Sequence, residues 1–221
     1  MLFSWWLKRF SIEESFSKFL KLRCLSRCIL FCIMAGLLRP GPAYPMVQYD
    51  TMSDAVLLAM RKAIQQSYTP KPVFDSVQHK VNWLSEMSKR LAKRVKDPRE
   101  RHYLIRLIRY EAQRAGLDPQ LVFAVIDTES GFRYDAVSPV GAIGLMQVMP
   151  FWTQVLADGE SDMLYKPDLN VRIGCLILAH YLEIERGNVE RALQRYNGSL
   201  GRSVYSDKVL GKLDRYWVYN W

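Results

Sequence analysis

The sequence predicts a mainly α-helical fold carrying one small β-like or irregular patch. Three observations predict it. Apolar residues recur at three- and four-residue spacing through the body of the chain. Two Asp-Pro pairs, Asp97-Pro98 and Asp118-Pro119, combine a capping side chain with a proline suited to the first helical position. No alternating strand series, internal repeat or low-complexity tract appears, and only residues 131–149 are too glycine-rich and alternating for a long helix.

The 221 residues suffice for one domain with extensions, and 49% hydrophobic with 24% charged residues is a globular composition. Of the formal charge of +9, residues 1–43 carry +5, so the body is mildly basic with its charge spread out. No nucleic-acid motif accompanies it, and no nucleic-acid partner is expected.

Residues 1–43 read as a signal peptide or membrane anchor. Lys8, Arg9, Lys18, Lys21, Arg23 and Arg27 precede an uncharged apolar run, Cys28 to Leu38, which Arg39-Pro40-Gly41-Pro42-Ala43 breaks. Eleven residues fall well short of the ~20 that span a bilayer. A short or tilted anchor and a buried helix are the other readings of that run. Cys24, Cys28 and Cys32 have no histidine near them, so no zinc site is expected; Cys175, alone in the body, reads as buried packing.

Residues 44–100 read as a helical extension after a 40–45 linker. Ser53 caps a helix with the stripe Val56, Leu57, Met60, Ala63 and Ile64, ended by Pro70 and Pro72. Asp75 or Ser76 starts a second helix with the stripe Val77, Val81, Leu84, Leu91 and Val95. Its basic face holds Lys80, Lys89, Arg90, Lys93, Arg94 and Lys96 and reads as solvated surface or a wall- or lipid-facing surface.

Residues 101–221 form the main domain. The helix begun at Asp97-Pro98 is expected to reach Gly116 and to bury Tyr103, Leu104, Leu107 and Ile108. Asp118-Pro119 begins the next, whose apolar run Leu121 to Ile126 delivers Glu129 before Gly131 stops it. Turns or a small hairpin are expected over 131–149. Short helices follow from Pro150 and into Tyr196, a long one spans Asn170 to Glu185, and Ser206-Asp207 caps the last. The aromatic tail Tyr216 to Trp221 suits sugar stacking or core packing equally.

Four blocks carry a resemblance: Glu129-Ser130, Ser138-Pro139-Val140-Gly141-Ala142, Gly144-Leu145-Met146-Gln147-Val148-Met149-Pro150, and Tyr196-Asn197-Gly198. Together they resemble the catalytic domain of the soluble lytic transglycosylases, over roughly residues 103–216. Ordered blocks at compatible spacing are far more specific than a lone motif. The resemblance implies a lysozyme-like (α+β) domain. It also implies cleavage of the β-1,4 bond between N-acetylmuramic acid and N-acetylglucosamine, without added water, to leave 1,6-anhydromuramic ends. Arg195 stands where the family usually has a small apolar residue.

Such a cut requires a proton on the leaving oxygen, and one glutamic acid supplies it if its pKa is raised. Glu129 fits, because apolar surroundings disfavour the charged carboxylate. Hydrolysis by paired carboxylates would need a second acid. Asp127 points to another side of the helix, and Asp135 lies beyond the turn; neither is identified as that partner. The resemblance assigns Glu129 as acid and then base. It implies that Ser138 contacts the reacting muramic acid, Gln147 lines the cleft, Met149 packs near the acid and the Tyr196 hydroxyl reaches the catalytic centre. Asn197 is its motif neighbour. Gly141 and Gly144 allow close backbone approach. No cofactor or metal is implied.

The expected partner is the peptidoglycan glycan strand, in the bacterial cell envelope and its periplasm. Membrane association through the leader and an unnamed envelope-assembly partner stay open. A lysozyme-like muramidase and a non-catalytic wall-binding or assembly module are the alternatives.

Overall fold

A computed structural model of the chain describes residues 52–66, 76–157 and 159–219. The leader, the 40–45 linker, Pro70, Pro72, Asp75, Asn220 and Trp221 lie outside them. The described residues are mainly helical, as the sequence predicts.

Helix α1, Asp54–Gln65, begins where Ser53 Oγ accepts from the Val56 amide at 3.4 Å. Its stripe buries Met60 and Ile64. Its last carbonyls are met by cations. Arg114 Nη2 donates to Ala63 O at 2.6 Å, and Arg172 Nη1 donates to Ile64 O at 2.8 Å. Both arginines pair with buried Glu111, at 3.2 and 2.9 Å.

Helix α2, Val77–Leu91, is capped by Ser76. Its inward face differs from the expected stripe. Val77 and Val81 are exposed, while Trp83, Met87 and Leu91 are buried. Both sets fit a helical period, and the larger apolar payload of the second set takes the core face; each such side chain contributes about 1.5–3 kcal/mol. The basic face also divides: Lys80, Lys89, Lys93 and Lys96 are exposed, whereas Arg90 and Arg94 turn inward. Arg90 Nη1 donates to the carbonyls of Tyr216 and Val218, and Arg94 pairs with Asp127 at 2.6 Å.

Helix α3, Pro98–Arg114, and helix α4, Pro119–Glu129, start at their Asp-Pro pairs. Asp97 and Asp118 accept from Arg99 N and Gln120 N at 2.9 and 2.8 Å. Tyr103 is 42% exposed rather than buried, because α3 rolls Leu104, Ile105, Leu107 and Ile108 inward. Helix α5, Phe151–Ala157, and a 3-10 turn, Ser161–Tyr165, lead into helix α6, Pro167–Ile184, which starts three residues before the expected Asn170.

Helix α7 is Val189–Tyr196 and helix α8 is Val204–Lys212. Ser203, not Ser206, precedes α8; Ser206 is buried within it. A π-helical turn, Leu213–Trp217, then drives Trp217 into the core, stacked on Phe123 with ring centroids 5.0 Å apart. Packing therefore claims Trp217 from the aromatic tail. The β-like patch consists of two antiparallel bridges, Val137 with Ile143 and Ile143 with Val148.

Candidate active site

Helix α4 is buried from Leu121 to Asp127 and ends on Glu129. Ser130 anchors the turn beyond it. Its hydroxyl donates to Leu145 O at 2.8 Å, and its oxygen accepts from Phe132 N at 3.1 Å. Phe132 takes a positive φ of 69°, unusual for a side chain of this size, and is held there by packing on Phe123 and Trp217. The end of the acid-bearing helix is thus tied directly to the glycine-rich block.

That block is held by side chains from two distant helices, α6 and α7. Asn170, fully buried on α6, donates to Ile143 O at 2.8 Å and Leu164 O at 2.9 Å, and accepts from Met146 N at 2.8 Å. The Tyr196 hydroxyl donates to Met146 O at 2.8 Å. Gly144 has φ +79°, and a Cβ there would lie 2.4 Å from Asn170 Nδ2 and 2.7 Å from Leu164 O. Glycine is therefore required both by conformation and by space.

The Tyr205 hydroxyl, from α8, donates to Glu129 Oε1 at 2.6 Å. Burial pushes the Glu129 pKa up from 4.5 to about 7, against the opposing pull of the Tyr205 hydrogen bond and the Lys208 charge. Desolvation wins, so a substantial fraction of this carboxyl is protonated at neutral pH. Burial, reinforced by the charge on Glu129, also raises the pKa of Tyr205 and of Tyr196, so both remain neutral phenols. An acid that keeps its proton, beside a donor that steadies the ionised form, can give a proton and take one back.

The other expected residues divide by role. Ser138 accepts from Ala142 N at 3.0 Å, closing the turn between the bridged residues Val137 and Ile143. Gln147, at φ +50°, donates to the carbonyls of Ala136 and Gly144, both at 3.0 Å. Both are half-buried in the loop next to α4. Met149 packs against the core, and Asn197 is exposed at the C-cap of α7. Arg195 turns away to pair with Glu185, which accommodates a cation at a position the family fills with a small residue.

Asp127 is committed elsewhere. Arg94, Lys212 and the Trp217 indole all donate to it. Asp135 is exposed. Tyr205 and Asn170 escaped the sequence reading as site residues. Tyr205 is 76 positions from Glu129, and the one available signal is a tyrosine one turn before buried Val209 whose hydroxyl needs a partner. Among the described residues, no group of three or more His, Cys, Asp or Glu is placed to hold a metal ion, and no helix is long and apolar enough to cross a membrane.

Residues 106–210 match the family model of the transglycosylase SLT domain. A membrane-bound lytic murein transglycosylase C of Actinobacillus pleuropneumoniae is 40% identical over 97 residues, covering 38% of this chain and 26% of that protein. A transglycosylase of Enterobacteria phage PRD1 is 36% identical over 93 residues, covering 42% of this chain and 34% of that protein. The solved structure of an inactive mutant of the lytic transglycosylase Slt from Pseudomonas aeruginosa matches with a TM-score of 0.39 and 35% identity, covering 44% of this chain and 17% of that one. The chain thus spans between a quarter and about a third of the two sequence relatives. Residues 106–210, which carry the acid, the glycine-rich block and both phenols, are thus the part of the chain that matches the transglycosylase SLT domain family.

Proposed function

We propose that the chain is a peptidoglycan lytic transglycosylase. It cuts the β-1,4 bond between N-acetylmuramic acid and N-acetylglucosamine and leaves a 1,6-anhydromuramic end. The observation that carries this reading is Glu129, whose carboxyl burial raises to a pKa of about 7 beside the Tyr205 hydroxyl.

Glu129 gives its proton to the glycosidic oxygen as the bond to C1 breaks, so N-acetylglucosamine leaves as a neutral alcohol. The substrate's own 2-acetamido oxygen stabilises C1, a known departure from the two-carboxylate scheme. That route suits a site whose nearest other carboxylate in sequence, Asp127, is bound by Arg94, Lys212 and Trp217. The ionised Glu129, held by Tyr205, then removes the proton from the muramic acid 6-hydroxyl as that oxygen closes on C1. Glu129 ends protonated and no water is consumed. Ser138 and Gln147, in the adjoining loop, are proposed to line the cleft, with Tyr196 and Met149 shaping its floor and Asn197 bracing the turn after Tyr196.

The proposed site of action is the cell envelope, with the leader serving as export signal or anchor. Mass spectrometry of purified peptidoglycan after digestion tests the reading. Anhydromuramic products from the parent protein, and none from Glu129→Gln, are expected. Reducing muramic ends would instead establish a hydrolase, and undiminished product from Glu129→Gln would remove the acid from its role.

A further inference from the structure

Tyr205 reaches Glu129 from the first turn of α8, and that turn starts weakly. Val204, the first residue of the helix, is 81% exposed and adds little burial. Ser203, at the N-cap position, makes no capping bond; its hydroxyl donates to Asp207 Oδ2 at 2.7 Å instead. A first turn without a side-chain cap frays readily, because its amides lack partners. Yet the Tyr205 hydroxyl sits 2.6 Å from Glu129 Oε1. The far end of α8 is fixed by Lys212, which donates to Asp127 Oδ1 at 3.1 Å.

The near end is held by a buried side chain of α7. Gln194 is 5% exposed, and both ends of its amide are bonded. Its Oε1 accepts from Gly201 N at 2.9 Å, in the loop before α8. Its Nε2 donates to Glu190 Oε1 at 3.0 Å and to Ser206 Oγ at 3.4 Å. Ser206, fully buried and next to Tyr205 in the chain, donates to Ser203 O at 2.9 Å. The Gln194 main-chain carbonyl accepts from Ser199 N at 2.7 Å as well. One residue thus ties the 197–203 loop at two points and the first turn of α8 at a third. That loop joins Tyr196 to Tyr205, the two phenols that feel the charge of Glu129.

We infer that Gln194 is a positioning residue: by clamping the 197–203 loop and the first turn of α8, it holds the Tyr205 hydroxyl on Glu129. Its part in catalysis rests on the reading proposed above, in which Glu129 is steadied as a carboxylate between its two proton transfers.

The test follows the Glu129 carboxyl by carbon-13 titration in the full chain. Four proteins are compared: the parent, Gln194→Met, Tyr205→Phe and the double variant. Methionine keeps the length and bulk of glutamine and removes its amide bonds. Glu190 and Gly201 are exposed and can turn to water, and Ser206 keeps Ser203 O, so the fold should survive. Tyr205 and Lys208 on α8 and Tyr196 on α7 are the ionisable groups that act with Glu129, and Gln194→Met keeps all three. Losing a bond that favours the carboxylate should move the midpoint up by about half to one pH unit. In the Tyr205→Phe background the same substitution should move it no further, because it acts through the phenol.

An unmoved or lowered midpoint in Gln194→Met would overturn the inference. So would a shift of equal size with the phenol gone, which would assign Gln194 to packing alone. If Gln194→Met does not fold, Gln194→Asn, which keeps the amide but withdraws it by one methylene, decides by the same two criteria. The titration needs no turnover. Reducing muramic ends from the parent would sink the lyase chemistry while this result still stood.

Discussion

At Glu129 two opposing effects are of similar kind but unequal size. Burial favours the neutral acid; Tyr205 and Lys208 favour the carboxylate; burial prevails and the pKa rises from 4.5 to about 7. The folded state therefore holds this proton more tightly than the unfolded chain does. That stabilisation is complete below pH 4.5 and is lost as pH rises through about 7. Denaturant melts should show the parent losing about 2–3 kcal/mol over that range relative to Glu129→Gln, which cannot titrate. Parallel curves would contradict the raised pKa. Tyr205→Phe removes a bond that favours the carboxylate, so Glu129 should hold its proton to still higher pH. The alkaline limb of kcat/KM should move up by about one unit, with a lower kcat, since a hydrogen bond to a charged group contributes roughly 1.5–3 kcal/mol. An unmoved limb would show that Tyr205 does not act on the acid.

Single elements show why some of this was legible in the sequence and some was not. The starts of α3 and α4 depend on local chemistry, an aspartate acceptor and a proline within two residues, and both read correctly. The inward face of α2 does not: Val77 and Val81 fit the same period as Trp83 and Met87, and burial of the larger side chains, with Trp83 packed on Phe123, decides between them. Ser203 and Ser206 are equally plausible caps by composition, but one of them is buried. Glu129 and the glycine-rich block were legible because they are contiguous. Tyr205 and Asn170 were not, because each reaches the site from a distant helix and resembles an ordinary core residue. The block itself depends on that reach. Gly144→Ala should destabilise the fold by about 2–4 kcal/mol, since a Cβ would meet the Leu164 carbonyl, which cannot give way. Asn170→Ala should cost about 3 kcal/mol by stranding buried partners. Chemical denaturation measures both.

Across the whole described fold, two buried carboxylates join elements far apart in the chain. Glu111 on α3 gathers Arg114 and Arg172, which in turn hold the end of α1. Asp127 on α4 gathers Arg94 beyond α2, Lys212 of α8 and Trp217. Each therefore couples the helices of the 44–100 region to the family domain. Glu111→Gln or Asp127→Asn leaves cations without their counter-charge and should cost about 3–5 kcal/mol. In the parent, near- and far-ultraviolet circular dichroism should report one coincident unfolding transition. Separate transitions would mean that α1 and α2 fold independently of the acid-bearing helix.

Every step proposed for the bond cleavage requires that the Glu129 carboxyl keep its proton near neutral pH. Carbon-13 labelling of the glutamate carboxyls in the full chain, with Glu129→Gln to assign the signal, follows that proton directly. A titration midpoint close to 7 is predicted; a midpoint near 4.5 would contradict the desolvated acid and the mechanism built on it.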